Sequence, residues 1–178
     1  MKIKKYISLI LAALVVAPAF TGCGSDGCFD NQSSIPLAAF YSSETGQAIA
    51  LTDLQISGVG APNDSTLIKA GQTVKQVYLP MRSQHTSTAW CFHYAQTGID
   101  APEWNDTIVF DYESQPYFAS EECGAMYNYR ITRYSYTNHL IDSLVVADSL
   151  ITNTDIARIK IYFRTATDDT GSEEEPEV

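Results

Sequence analysis

Histidine is scarce in this 178-residue chain: His85, His93 and His139 are the only three. None is spaced as HxxxH and no two cysteines form CxxC, so the sequence offers no zinc site, and no metal ligands are expected. Basic residues are also few. Eleven Lys and Arg face 21 Asp and Glu, a formal net charge of −10. Such a surface does not neutralise phosphates, which excludes nucleic acid as a partner. The Gly58-Val59-Gly60 stretch lacks the third glycine and the following helix of a dinucleotide-binding turn, and no cofactor is expected. No segment shows a helical hydrophobic period with caps. After the first twenty residues, no apolar run is long enough to span a membrane.

What is present begins with a secretory layout. Lys2, Lys4 and Lys5 precede an apolar run from Ile7 to Ala17, and Pro18 interrupts it. The run is short for a transmembrane span and has the flanks of a cleaved signal. The following "FTGC", Phe20 to Cys23, resembles the lipobox of bacterial lipoproteins. That resemblance makes residues 1–22 a signal peptide and Cys23 the lipidated first residue of the mature chain. The sulfur receives diacylglycerol, and several acyl chains together anchor stably where one binds weakly. Removing residues 1–22 takes away three lysines, leaving eight basic residues against 21 acidic, a net of −13. The membrane, reached through this lipid, is the first expected partner.

Residues 23–33 are small and polar and read as a tether. The end, Asp168 to Val178 (DDTGSEEEPEV), carries six acids and no base. Residues 166–178 therefore read as a solvated, disordered tail rather than a calcium loop, whose ligand spacing is absent. Between them, residues 34–165 form one domain, long enough to bury a core. The signals there are for strands: Ile35–Tyr41, Leu51–Ser57, Val74–Leu79, Thr86–Tyr94, Thr107–Tyr112, Met126–Thr137, Leu140–Ile151 and Ile156–Phe163. β-Branched and aromatic residues dominate them, and turn residues recur about every ten positions. The expected fold class is all-β, a single immunoglobulin-like β-sandwich of seven to nine strands.

Alternation places Trp90, Phe92 and Tyr94 on one face of their strand and Ala89, Cys91 and His93 on the other. The tyrosine-rich strand breaks this rule. Tyr127, Tyr129 and Ile131 share one parity, and Tyr134 and Tyr136 the other. Either both faces are covered, or an extra residue near Thr132-Arg133 resets the phase as a β-bulge. These tyrosines, with Trp90 and Trp104, are candidate ligand-facing aromatics for stacking on sugar rings. The competing reading makes them core residues with hydroxyls at the rim.

With Cys23 lipidated, Cys28, Cys91 and Cys123 remain, enough for one disulfide and one free thiol. Spacing leaves all three pairings open. The segments "CGSDGC", "VYLPMR", "TIVFDYESQPYFASEECGAMYNY" and "ARIKIYF" resemble a family of uncharacterised lipoproteins from Bacteroidota, over most of residues 23–163. The resemblance implies a Cys28–Cys123 bridge, with Cys91 the free thiol. It implies no reaction. Bacteroidota also attach O-glycans at Asp, then Ser or Thr, then an aliphatic residue or Thr. The chain resembles that motif at four places, making Ser65, Thr107, Ser143 and Ser149 candidate O-glycosylation sites, although Asp-Ser and Asp-Thr are also ordinary turn pairs.

No catalytic constellation stands out. A thiol enzyme needs a thiolate beside a base, and Cys91 with His93 is the single candidate pair. Glu121-Glu122, or Glu103 with Asp106, could in principle form a glycosidase pair. The expected protein is thus a lipid-anchored, non-enzymatic binding or structural accessory protein of the outer membrane, at its periplasmic face or on the cell surface. Its partner would be an envelope protein or a glycan. A carbohydrate-binding module is the first alternative and a cysteine-dependent enzyme or redox protein the second.

Overall fold

The computed structural model describes residues 34–62, 65–121 and 123–165. The expected leader, tether and acidic tail, with Cys23 and Cys28, lie outside them. Twelve strands are found among the described residues. They are β1 (Leu37–Ser42), β2 (Leu51–Thr52), β3 (Leu54–Gly58), β4 (Thr66–Ile68), β5 (Thr73–Val74), β6 (Gln76–Tyr78), β7 (Ser87–Tyr94), β8 (Asp106–Ser120), β9 (Gly124–Tyr136), β10 (Ile141–Val146), β11 (Leu150–Ile151) and β12 (Ala157–Phe163). A single 3-10 turn, Pro102–Trp104, precedes β8.

The all-β class is as expected. The strand count exceeds the expected seven to nine because two expected runs break locally and short strands join them. Asp53 adopts φ 57 and its carboxylate accepts the Gly71 N–H at 2.9 Å, so the Leu51–Ser57 run kinks. Its first part pairs with β5 and its second with β7. The Leu140–Ile151 run is likewise cut at Asp148, whose Oδ1 accepts the Leu150 N–H at 2.9 Å and turns the chain from β10 into β11. Conversely, β8 runs on well past Tyr112, through Pro116. β7 ends opposite Asp111, so the later part of β8 is an edge, where proline is tolerated.

Two sheets carry the fold, in the orders β10-β12-β1-β6 and β11-β9-β8-β7-β3-β4, with β2-β5 a small ribbon. The first and last strands, β1 and β12, pair in parallel at the centre of the smaller sheet. One hydrophobic cluster draws on both sheets, with Phe40, Ile159 and Ile161 from one and Phe92, Ile108 and Phe110 from the other. Tyr94 meets Phe163 edge-on across the gap, their centroids 6.5 Å apart. The alternation read for β7 holds: Trp90, Phe92 and Tyr94 are buried, while Ala89, Cys91 and His93 are half-buried on the outer face.

The bulge in the tyrosine strand is present. Asp111 pairs with Arg133 and Tyr112 with Ile131, which leaves Thr132 as the extra residue. Its hydroxyl donates to the Asp111 carbonyl at 3.1 Å, and Arg133 Nε pairs with the Asp111 carboxylate at 2.7 Å. Past the bulge, Tyr134 and Tyr136 lie opposite Phe110 and Ile108, on the same face as Tyr129 and Ile131. Deleting Thr132 would turn Tyr134 and Tyr136 outward, because one residue of slip exchanges the faces. The deletion variant is expected to lose more than about 2 kcal/mol in urea unfolding; an unchanged midpoint would show that the strand accepts either phase.

Candidate functional site

Asp106 opens β8 in phase with Ile108, Phe110 and Tyr112 and is fully buried. A carboxylate can sit there only if its lone pairs are filled. Oδ1 accepts from the Thr137 hydroxyl and the His139 N–H, and Oδ2 from the Tyr94 hydroxyl and the N–H groups of Leu140 and Ile141, all at 2.8 Å. The carbonyls of the same turn are gathered by Arg164. Its Nη1 donates to the oxygens of Asn138, His139 and Ile141 at 3.1, 2.8 and 3.3 Å, and its Nη2 pairs with Asp142 at 3.0 Å. One anion and one cation thus fold the crossover from β9 to β10. Burial first, then the charge and hydrogen bond of Asp106, push the Tyr94 phenol far above the ordinary tyrosine range, so it stays a donor. Glu103, the other half of the possible glycosidase pair, is exposed on the 3-10 turn, whereas the oxygens of Asp106 are taken.

Cys91 and His93 do share the outer face of β7, two residues apart. The histidine is already engaged: Nδ1 lies 2.9 Å from Asn105 Oδ1 and Nε2 3.1 Å from the Asp100 carboxylate. Both ring nitrogens thus have partners other than the thiol. Burial, and then the Asp106 charge, push the Cys91 thiol pKa up, which disfavours the thiolate that a nucleophile needs. Cys91 is a free cysteine, whereas Cys123 is not without a partner. Among the described residues, no group of three or more His, Cys, Asp or Glu could hold a metal ion.

The aromatic candidates do not form a row. Trp90 is 2% exposed and packs edge-on to Phe110, and Tyr129 is 4% exposed against Tyr112; both belong to the core. Tyr127 and Tyr136 pack against the same cluster. Trp104 and Tyr134, 41% and 40% exposed, are the most exposed of them, although Tyr134 keeps the inner parity and its ring lies 6.2 Å from that of Phe110. Of the candidate glycosylation residues, Ser65 is exposed and Thr107, Ser143 and Ser149 are half-buried. The acids before those three have structural work. Asp106 holds the crossover, Asp142 pairs with Arg164, and Asp148 both caps Leu150 and pairs with Arg158 at 3.3 Å.

A feature that reading the residues in order did not find is an open cleft of about 490 Å³. The connection from β6 to β7 forms one wall with Met81, Arg82 and His85, and β9 the other with Met126, Tyr127 and Tyr129. Tyr112 holds the first wall in place. Its phenol accepts the Arg82 N–H at 2.9 Å and donates to the Arg82 carbonyl at 3.1 Å. With its proton spent there, it accepts from the Thr88 hydroxyl at 2.7 Å. The signal for the Asp106 corner was in the sequence, as an acid in phase with core residues. The cleft had none, since its walls are about forty positions apart.

A family model described as a family of unknown function (DUF6452) matches residues 53–163, more than half of the chain. The chain belongs to that family. No curated protein and no solved structure matches it. The matched segment takes in Tyr94, Asp106, Tyr112 and Thr137, and so both anchored connections. It leaves out β1, which lies between β12 and β6, so the smaller sheet is completed by a strand from outside the family segment.

Replacing Asp106 by Ala leaves five donors without an acceptor and is expected to cost about 3–5 kcal/mol, against about 1–2 kcal/mol for Tyr94→Phe, by chemical denaturation. A mild Asp106→Ala would mean that the corner is dispensable. The Cys91 thiol is expected to react with iodoacetamide at pH 8 more slowly than an unstructured cysteine, since less of it is thiolate; fast alkylation would contradict the raised pKa.

Proposed function

We propose that the chain is a lipid-anchored cell-envelope protein, of the kind the Bacteroidota lipoprotein resemblance implies, that binds or braces an envelope partner rather than catalysing a reaction. One observation carries the non-catalytic part: the side chains that could do chemistry are spent on the fold. Asp106 is saturated by five donors, both ring nitrogens of His93 are engaged, and burial pushes the Cys91 thiol pKa up. The anchoring part rests on the signal layout and on Cys23 after Gly22. A Cys28–Cys123 bridge belongs to the same reading. It is supported by Cys91 being the free cysteine and by Cys123 not being without a partner. An immunoglobulin-like sandwich is the fold relationship that fits two sheets around one core. An envelope protein is a better partner than a glycan, because the burial of Trp90 and Tyr129 removes the aromatic row that a sugar platform would need.

Expressed with its leader, the protein is expected to partition into the detergent phase of an envelope extract, with a mature mass that begins at a triacylated Cys23. The Cys23→Ser variant is expected to move to the aqueous phase. An unlipidated wild-type chain that begins elsewhere would overturn the anchored reading.

A further inference from the structure

β8 outruns its neighbour. Ser87, the first residue of β7, pairs with Asp111, and from Tyr112 to Ser120 β8 has no strand but β9 beside it among the described residues. The two strands form an arm that leaves the larger sheet. Along it, Tyr112, Ser114, Pro116 and Phe118 keep the parity of the core residues Ile108 and Phe110. At Phe118 that parity no longer meets a core. Phe118 lies seven residues past Asp111, about 23 Å along the strand. It is 70% exposed, more than any other large apolar side chain among the described residues. Glu121 follows at the turn, exposed and without an ion pair among the described residues.

A pocket of about 180 Å³ opens at the same end of the larger sheet. Val59, Ala61 and Leu67 of the β3–β4 connection line one side, Pro80 and Arg82 the other, and Trp90 of β7 lies at the base. Trp90 pairs with Ile108, three residues before Asp111, so the pocket sits just behind the root of the arm. Val59 and Leu67 are exposed at its mouth. An apolar cavity of about 150 Å³ holds one benzene ring, so this pocket has room for a phenyl group and too little for a long acyl chain. Arg82 is exposed at the rim, and Tyr112 holds its backbone in place. Arg133, Arg158 and Arg164 each have a carboxylate partner, whereas Arg82 has none among the described residues.

We propose that two copies of this chain pair about a two-fold axis, each setting Phe118 into the Trp90 pocket of the other and Glu121 against Arg82. Ring and pocket belong to one chain and lie at one end of it, so the contact is self-complementary and closes after two copies. β8 leads Phe118 away from the pocket of its own chain, which leaves that pocket to the other copy. The charges fit as well. The cation at the rim meets the acid that follows the ring, in a chain whose net charge of −10 otherwise repels its like. Pairing also covers Val59, Leu67 and Phe118, three of the large apolar side chains exposed on a single copy. It depends on neither the lipid nor the disulfide of the preceding reading.

The test is sedimentation equilibrium of the purified full chain in density-matched detergent micelles, where the wild type is expected to be dimeric. Phe118→Asp removes the ring and Ala61→Trp fills the pocket. Each alone is expected to raise the dimer dissociation constant at least roughly 100-fold, with an unchanged urea midpoint. Mixed together, the two variants are expected to form a heterodimer, because one keeps the pocket and the other the ring. Arg82→Glu and Glu121→Arg, both at exposed positions, are each expected to weaken the dimer and, combined in one chain, to restore it. A monomeric wild type would overturn the proposal, as would variants that stay monomeric when mixed. A dimer that survives both Phe118→Asp and Ala61→Trp would overturn it in favour of another surface. The Gly124–Asn128 edge of β9 is one such surface: β11 stops short of it, and it carries neither proline nor charge to guard it. Where a midpoint falls, the charge exchange decides, and a double variant that stays monomeric would overturn the pairing.

Discussion

The Asp106 carboxylate is the contact on which the rest of the fold turns. A buried, ionisable oxygen pair is costly to desolvate and is retained only where donors converge on it. Here the donors come from β7 (Tyr94), from the end of β9 (Thr137) and from three successive amides of the turn into β10. The larger sheet is thereby tied to the chain that leaves it for the smaller one. Arg164, just past β12, closes the same turn from its carbonyl side.

A second tie lies six residues along the same strand. Tyr112 grips the backbone of Arg82 and so fixes another connection between the sheets, from β6 to β7. β8 therefore holds two of the crossovers through two inward-facing polar groups, with the apolar Ile108 and Phe110 between them. The outward parity of the strand handles the edge instead. Asp111 there pairs with Arg133 next to the Thr132 bulge, and the guanidinium holds its carboxyl below the usual range, with a further contribution from Ser87. Because that pKa is depressed, the pair supports the fold above the unfolded carboxylate pKa and is lost as pH falls through the folded one.

This use of polar side chains shapes the functional reading. Acids are abundant in the sequence, but those the structure describes in the Asp-Ser and Asp-Thr motifs serve turns and ion pairs. The one thiol–imidazole pair is split by the contacts of His93 with Asn105 and Asp100. What remains open on the molecule is a surface and an edge: the cleft beside β9 and the unguarded stretch from Gly124 to Asn128.

Period-two alternation was enough, from the sequence alone, to point to the all-β class, to divide β7 into its two faces and to raise a bulge near Thr132-Arg133 as one of two readings, because side-chain direction in a strand depends on local count. The lipobox resemblance at Cys23 is equally local. The tertiary structure alone decided which strands neighbour one another, the pairing of β1 with β12, and the division of Leu51–Ser57 between two partners. It also decided the fate of the aromatics: Trp90 and Tyr129 became core, while Trp104 and Tyr134 kept about two fifths of their surface exposed, since burial depends on what covers a face rather than on the face itself. For the same reason, Asp106 could be read as an acid in phase with a core but not as the hub of five donors. Those donors are brought together from positions 94 to 141 only when the two sheets close on each other.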